Sequence, residues 1–202
     1  MFAVVESGSI TSMPKGNKGI QIGDIKYSAD IFTTKWTESQ RNAIGVYTVE
    51  IDETNKKDEE YYINTEITYA FGSGKVTGSY GTATAKAHAD TKWTQKEIDD
   101  GDAPAGADTN TVKNEGLKTQ LIRTVKAQAQ SILNETDWYV TRKAEEDIAI
   151  PSSITTHRKA VRTKQAEMET SITNAADTAA LETLYTRNDS GVRPLGDLPI
   201  LE

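Results

Sequence analysis

YYINTEITYAFGSGKVTGSYGTATAKA, residues 61–87, decides the first half of the fold. Tyr61, Ile63, Thr65, Ile67, Tyr69 and Phe71 fall on one side of an extended chain. Tyr62, Asn64, Glu66, Thr68 and Ala70 fall on the other, because successive side chains of a strand alternate. Gly72-Ser73-Gly74 lets the backbone reverse, and a Thr-rich second strand follows over 75–87. The pattern predicts a β-hairpin with one aromatic face. Working toward the N-terminus, Phe2-Ala3-Val4-Val5 predicts a short strand stopped by Ser7-Gly8-Ser9. Residues 20–27 alternate around Gly23-Asp24 as a tight hairpin. Trp36 to Arg41 predicts a short helix capped by Thr37 and stopped at Gly45, followed by a half-buried strand over 46–51.

Past residue 87 the periodicity changes. Residues 97–110 combine acid, Gly, Pro and Ala with almost no apolar content and predict a linker. Leu117, Leu121, Ile122, Val125, Ala129, Ile132 and Leu133 then recur at helical spacing. A second helix carries Ile154, Val161, Met168 and Ile172, and Asp177 caps a third bearing Leu181, Leu184 and Tyr185. The expectation is an α+β chain. An antiparallel β-rich unit (1–96) precedes the linker (97–110), a small helical unit (111–186) and an extended C-terminal arm (187–202). The arm's Pro194 and Pro199 forbid a regular helix. Its Leu195, Leu198 and Leu201 mark it as a segment that docks on something.

Composition narrows function mostly by exclusion. The apolar fraction of 36% is low for a compact enzyme and leans toward an elongated or partner-supported shape. Residues 1–110 carry a net charge of −6 and residues 111–202 carry −1, so the front half repels phosphate. No nucleic-acid partner is expected. With no cysteine there is neither disulfide nor thiol chemistry. The first residues lack the basic segment of a signal peptide, and no stretch approaches the ~18 apolar residues of a membrane helix, so no membrane insertion is expected.

A search for catalytic patterns finds none. His88 and His157 lie far apart, without HExxH or related spacing. Gly72-Ser73-Gly74-Lys75 lacks the first glycine and the final Ser or Thr of a phosphate loop. Gly78-Ser79-Tyr80-Gly81 is not a nucleophile elbow. Asp99, Asp100 and Asp102 could gather a cation but miss the EF-hand pattern, and a hydrated acidic linker accounts for them. No paired-carboxylate cleft suggests a glycan hydrolase. The expectation is a protein with no enzymatic activity, no metal and no cofactor.

Two features suggest contact surfaces instead. Arg158, Lys159, Arg162 and Lys164 crowd the front of the 154–173 helix, with Glu167 and Glu169 toward its end. This order opposes the helix dipole. It reads either as a screened surface or as an Arg158/Arg162 stripe that meets an acidic partner, such as residues 97–108 of a neighbouring copy. Trp138, followed by Tyr139, reads either as a core residue packing the corner between helices or as an anchor for a partner protein. Tyr61, Tyr69 and Tyr80 offer a platform for contact with a host surface.

Three blocks carry a resemblance to a known group. Residues 27–47, with YSADIF and WTESQRNAIGVY, are one; YYIN at 61–64 with GSYGTATAK at 78–86 is the second. The third is SILNETDWYVTRKAEEDIAIPSSITTHRKAVR at 131–162, continued by Arg193-Pro194-Leu195-Gly196. Together they resemble small tail and tail-fibre-associated proteins of tailed, marine-type bacteriophages. The third block is similar to the tail assembly chaperone group. The resemblance implies a virus-encoded protein made in the host cytoplasm that assembles with other tail proteins, as a homo-oligomer. It implies either a virion part of the tail, tail fibre or baseplate, or a chaperone that leaves before maturation. Chaperone segments run from TDW into a short Pro-Asp element, whereas Tyr139-Val140-Thr141-Arg142-Lys143 follows here. That departure and the strand-rich front half favour the virion part, with Trp138, Tyr139, Arg158, Arg162, Tyr61, Tyr69, Leu195, Leu198 and Leu201 as its contact residues.

Overall fold

A computed structural model describes residues 1–201. The chain is α+β, with strands first and helices after, and divides into two compact units, Met1–Thr84 and the chain from Ala85 onward.

The first unit runs β1 (Phe2–Glu6), β2 (Ser9–Ser12), β3 (Ile20–Ile22), β4 (Ile25–Tyr27), a 3-10 turn (Ala29–Phe32) and α1 (Glu38–Ala43). It continues with β5 (Val46–Asp52), β6 (Tyr62–Ile63), β7 (Ile67–Gly72) and β8 (Lys75–Tyr80), and β9 (Thr84–Ala85) follows at the boundary. Five strands form one sheet in the order β2-β1-β5-β8-β7. In β1 the neighbours Ala3 and Val4 face opposite sides, as strand geometry demands, yet both are buried. Ala3 joins Val49 and Val76, with Tyr47 and Phe71 packed beside them. Val4 joins Ile31 and Val46, covered by Phe2, Tyr27, Phe32 and Trp36. The β3–β4 hairpin, the 3-10 turn and Trp36 thus lid one face of the sheet.

The sheet is mixed rather than antiparallel throughout, because β5 and β8 run parallel. The 53–66 connection carries the chain out to the edge, where β7 descends and β8 returns between β7 and β5. The hairpin expected over 61–87 survives as β7–β8, turning through Ser73 and Gly74 at φ 50° and 75°. Its aromatic face stops short of residue 66. Asn64 clamps Lys57 through both backbone groups, accepting at 2.8 Å and donating at 2.8 Å. Thr65 Oγ1 meanwhile accepts from Gly81 N at 2.7 Å. These local bonds interrupt the ladder between the β7–β8 pair and the short β6–β9 pair, with Tyr61 buried and Ile63 exposed.

The second unit holds β10 (Thr91–Lys92), α2 (Gln95–Asp99), β11 (Val112–Asn114), α3 (Leu117–Asn134), α4 (Asp137–Glu146), α5 (Ser152–Asn174) and α6 (Thr178–Tyr185). Residues 97–110, expected as a linker, lie inside this unit, as an excursion whose ends pair through β10 and β11. Thr94 and Glu97 form a capping box at α2. Glu97 also bonds Lys113, whose ammonium sits 4.7 Å from the Trp93 ring. The Lys113 hydrogen bond, then those of Thr94, hold the Glu97 carboxyl down to about 2 from 4.5. A depressed carboxyl contributes its clamp fully above 4.5 and loses it as pH falls through the folded value. In an NMR titration Glu97 should therefore change with a midpoint near 2; a midpoint near 4.5 would show the clamp absent.

Leu117, Leu121, Val125, Ala129 and Leu133 are buried along one stripe of α3, and Ile154, Val161, Met168 and Ile172 along α5. Each of these apart from Ala129 stabilises the fold by ~1.5–3 kcal/mol relative to exposure. The two helices are antiparallel: Ala129 and Leu133 pack with Val161, while Lys118 Nζ donates to Thr173 O at 2.8 Å. Asp177 caps α6 as expected, accepting from Ala180 N at 2.8 Å. The C-terminal arm is non-helical and docks on this same unit. Leu195 is 2% exposed, its N–H donating to Leu184 O at 2.9 Å. Leu198 packs on the Ala129–Leu133–Val161 cluster, and beyond it Ile200 and Leu201 stand exposed.

Candidate functional site

Where α3 ends, its last carbonyls have no partner in the helix. Arg158, in the second turn of α5, reaches across to them. Its Nη1 donates to Leu133 O at 2.7 Å and to Thr136 Oγ1 at 2.6 Å, and Nη2 donates to Asp137 Oδ1 at 2.7 Å. The Thr136 hydroxyl in turn donates to Leu133 O at 3.0 Å. A guanidinium fork suits this task, since one planar group can serve two helix ends. Arg158 is therefore a buried pin at 7% exposure, not half of an exposed stripe. The charge order on α5 also gains a cause. Its basic front half lies against the negative end of antiparallel α3, so α3's dipole favours what α5's own opposes. Midway along α3, Lys126 pairs with Glu169 of α5 at 3.3 Å.

With Thr136 and Arg158 filling the corner, Trp138 is displaced from it and is 52% exposed. Its ring stacks on Tyr139 with centroids 3.8 Å apart, and the Arg142 guanidinium sits 4.7 Å from its centre. Arg142 is also 5.4 Å from the Tyr139 ring, so one cation holds both aromatics. Val140 adds exposed apolar surface on the same helix. Of the two sequence readings of Trp138, the geometry suits the exposed anchor. Arg142 escaped the sequence reading, although its i+4 spacing from Trp138 places the two on one helix face.

Arg162 stays exposed, one turn beyond Arg158. It stands in an open groove of about 720 Å³ between α3 and α5, with Gln130, Asp137, Gln165 and Glu169 around it and Arg158 at the floor. Glu169 is engaged by Gln165 at 2.8 Å and by Lys126. Arg162 has no hydrogen-bond or ion-pair partner among the described residues.

The other expected contacts scatter. Tyr61 is buried and cannot belong to a surface platform; Tyr69 lies exposed on edge strand β7. Tyr80 is half-buried, with Lys56 Nζ 5.7 Å from its ring, and shares an open hollow of about 480 Å³ with Tyr62 and Glu59. His157 is buried and its Nε2 lacks a partner, while His88 is half-buried. Among the described residues no three His, Asp or Glu side chains converge on a metal position. No helix of the described residues is long and apolar enough to cross a membrane.

No family model, no curated protein and no solved structure matches this chain. The candidate surfaces therefore rest on their own chemistry. The Trp138–Tyr139–Arg142 stack presents a rigid aromatic edge beside a cation, and the Arg162 groove presents an unsatisfied guanidinium among amides.

Proposed function

We propose that this chain is a non-enzymatic structural protein of a bacteriophage virion, an adaptor in the tail, tail fibre or baseplate. The observation that carries the contact role is the half-exposed Trp138, locked by Tyr139 and Arg142 on a helix with no buried residues. Tryptophan in such a setting gives large contact area at small entropic cost, which is why it recurs as an interface anchor. The phage assignment is supported by the resemblance of residues 27–47, of 61–64 with 78–86, and of 131–162 to tail-associated proteins. The open hollows on both units suit protein contact better than enclosure of a small substrate.

The test is an infection complemented with Trp138→Ala/Tyr139→Ala. Both side chains lie on a helix that buries none of its residues, so the variant should fold with unchanged circular dichroism. Expected are particles lacking this protein, or tails that fail to complete. Normal titre and normal incorporation would remove the stack from the interface.

A further inference from the structure

We infer that the α3–α5 groove receives the acidic loop of a second copy, joining copies head to tail through Arg162 and Asp102. The two groups are complementary leftovers. Arg162 is a guanidinium with donors to fill and no partner among the described residues. Glu169 is already bound by Lys126 and Gln165, and Asp137 by Arg158, so the charge the groove leaves unanswered is positive.

The loop between α2 and β11 has the opposite remainder. Asp100 pairs with Lys96, Asp99 accepts from Gln95, and Asp108 is turned inward on Thr111 and Asn110. Asp102 is exposed, and its carboxylate has no partner among the described residues. It stands at a tip of Gly101, Ala103, Pro104, Ala105 and Gly106, with no bulky side chain to keep a narrow turn out of a groove.

The loop does not line its own groove. It is rooted at the start of α3, where Gly116 N donates to Asp90 Oδ1 at 2.7 Å and Thr91 pairs with Asn114. Gln130, at the groove, lies 13 residues along that helix, about 20 Å away at 1.5 Å per residue. Donor and acceptor thus sit at opposite ends of one rigid element. A contact between two different patches propagates, closing into a ring or continuing as a stack. It is an exposed charge contact, so it weakens as salt is added. This inference does not depend on the tail assignment and can fail without it.

The experiment is light scattering and sedimentation of the purified full chain over a concentration series at low salt. The wild type should exceed the mass of one chain as concentration rises. Arg162→Ala and Asp102→Asn should each weaken association about tenfold. The decisive sample is their equimolar mixture. One variant keeps only a loop and the other only a groove, so a two-chain species should form and grow no further. Circular dichroism checks that both exposed substitutions leave the fold intact. A wild type of single-chain mass at every concentration overturns the inference, as does a mixture that assembles no better than either variant alone.

Discussion

Arg158→Leu is expected to lower unfolding free energy by about 3 kcal/mol, the range for removing one partner of a buried charged network. The leucine fills space, but it leaves Thr136 Oγ1, buried at the corner, without its charged donor and returns the end of α3 to its unneutralised dipole. Asp137 is different. Its side chain is 49% exposed, so water replaces Arg158 readily, and Asp137→Asn should cost under about 1 kcal/mol. Arg158→Lys should recover little, because one ammonium cannot span Leu133 O and Asp137 with the planar fork. Urea midpoints of the three variants give the order directly. A leucine variant as stable as the asparagine variant would mean that Arg158 is an ordinary surface arginine.

Gly45→Ala should be comparably damaging in the first unit, by about 3 kcal/mol, from left-handed strain plus overpacking. Gly45 links α1 to β5 at φ +79°. A β-carbon there would stand 2.5 Å from the carbonyl oxygen of Val5, which belongs to the neighbouring strand β1. Gly45 O also accepts from Val5 N at 2.7 Å, so the backbones cannot separate without losing that bond. Gly74→Ala is the control: φ is similarly positive at +75°, but nothing lies within 4 Å of the added carbon. It should cost only the conformational share, about 1 kcal/mol. Equal midpoints for the two variants would place the whole effect in φ and none in the contact with β1.

What could be read from the residues follows the range of the interaction concerned. The Leu117-Leu121-Val125-Ala129-Leu133 stripe and the Gly72–Gly74 reversal are local patterns, and helix α3 and the β7–β8 hairpin form where they predict. So does the Thr37 cap, with Gln40 completing its capping box. The parallel β5–β8 pairing depends on where the 53–66 connection delivers the chain, which no local period encodes. Residues 97–110 have a linker's composition, yet β10 and β11 close around them from 20 residues apart. The Thr94–Glu97 capping box was the one local sign of order there.

At the contact surfaces the misreadings have one origin. A charged residue on a helix is ordinarily exposed and a tryptophan ordinarily buried, and at this corner the two exchange places. The end of α3 needs a cation more than it needs an apolar ring, so Arg158 enters and Trp138 is left outside, held by Arg142. Leu195 and Leu198 were legible as docking residues, but a sequence cannot say on what; they settle on α3, α5 and α6 of their own unit. Of the nine contacts expected, Trp138, Tyr139, Arg162, Tyr69 and Leu201 keep surface to offer, Arg158, Tyr61 and Leu195 spend theirs inside the fold, and Leu198 is half-buried against its own unit.

The most direct measurement is quantitative mass spectrometry of purified phage particles alongside the infected-cell lysate. A virion adaptor should be recovered from particles at a fixed ratio to the other tail proteins, and that ratio gives its copy number. Abundance in the lysate with absence from the particles would contradict the account and make the chain an assembly chaperone.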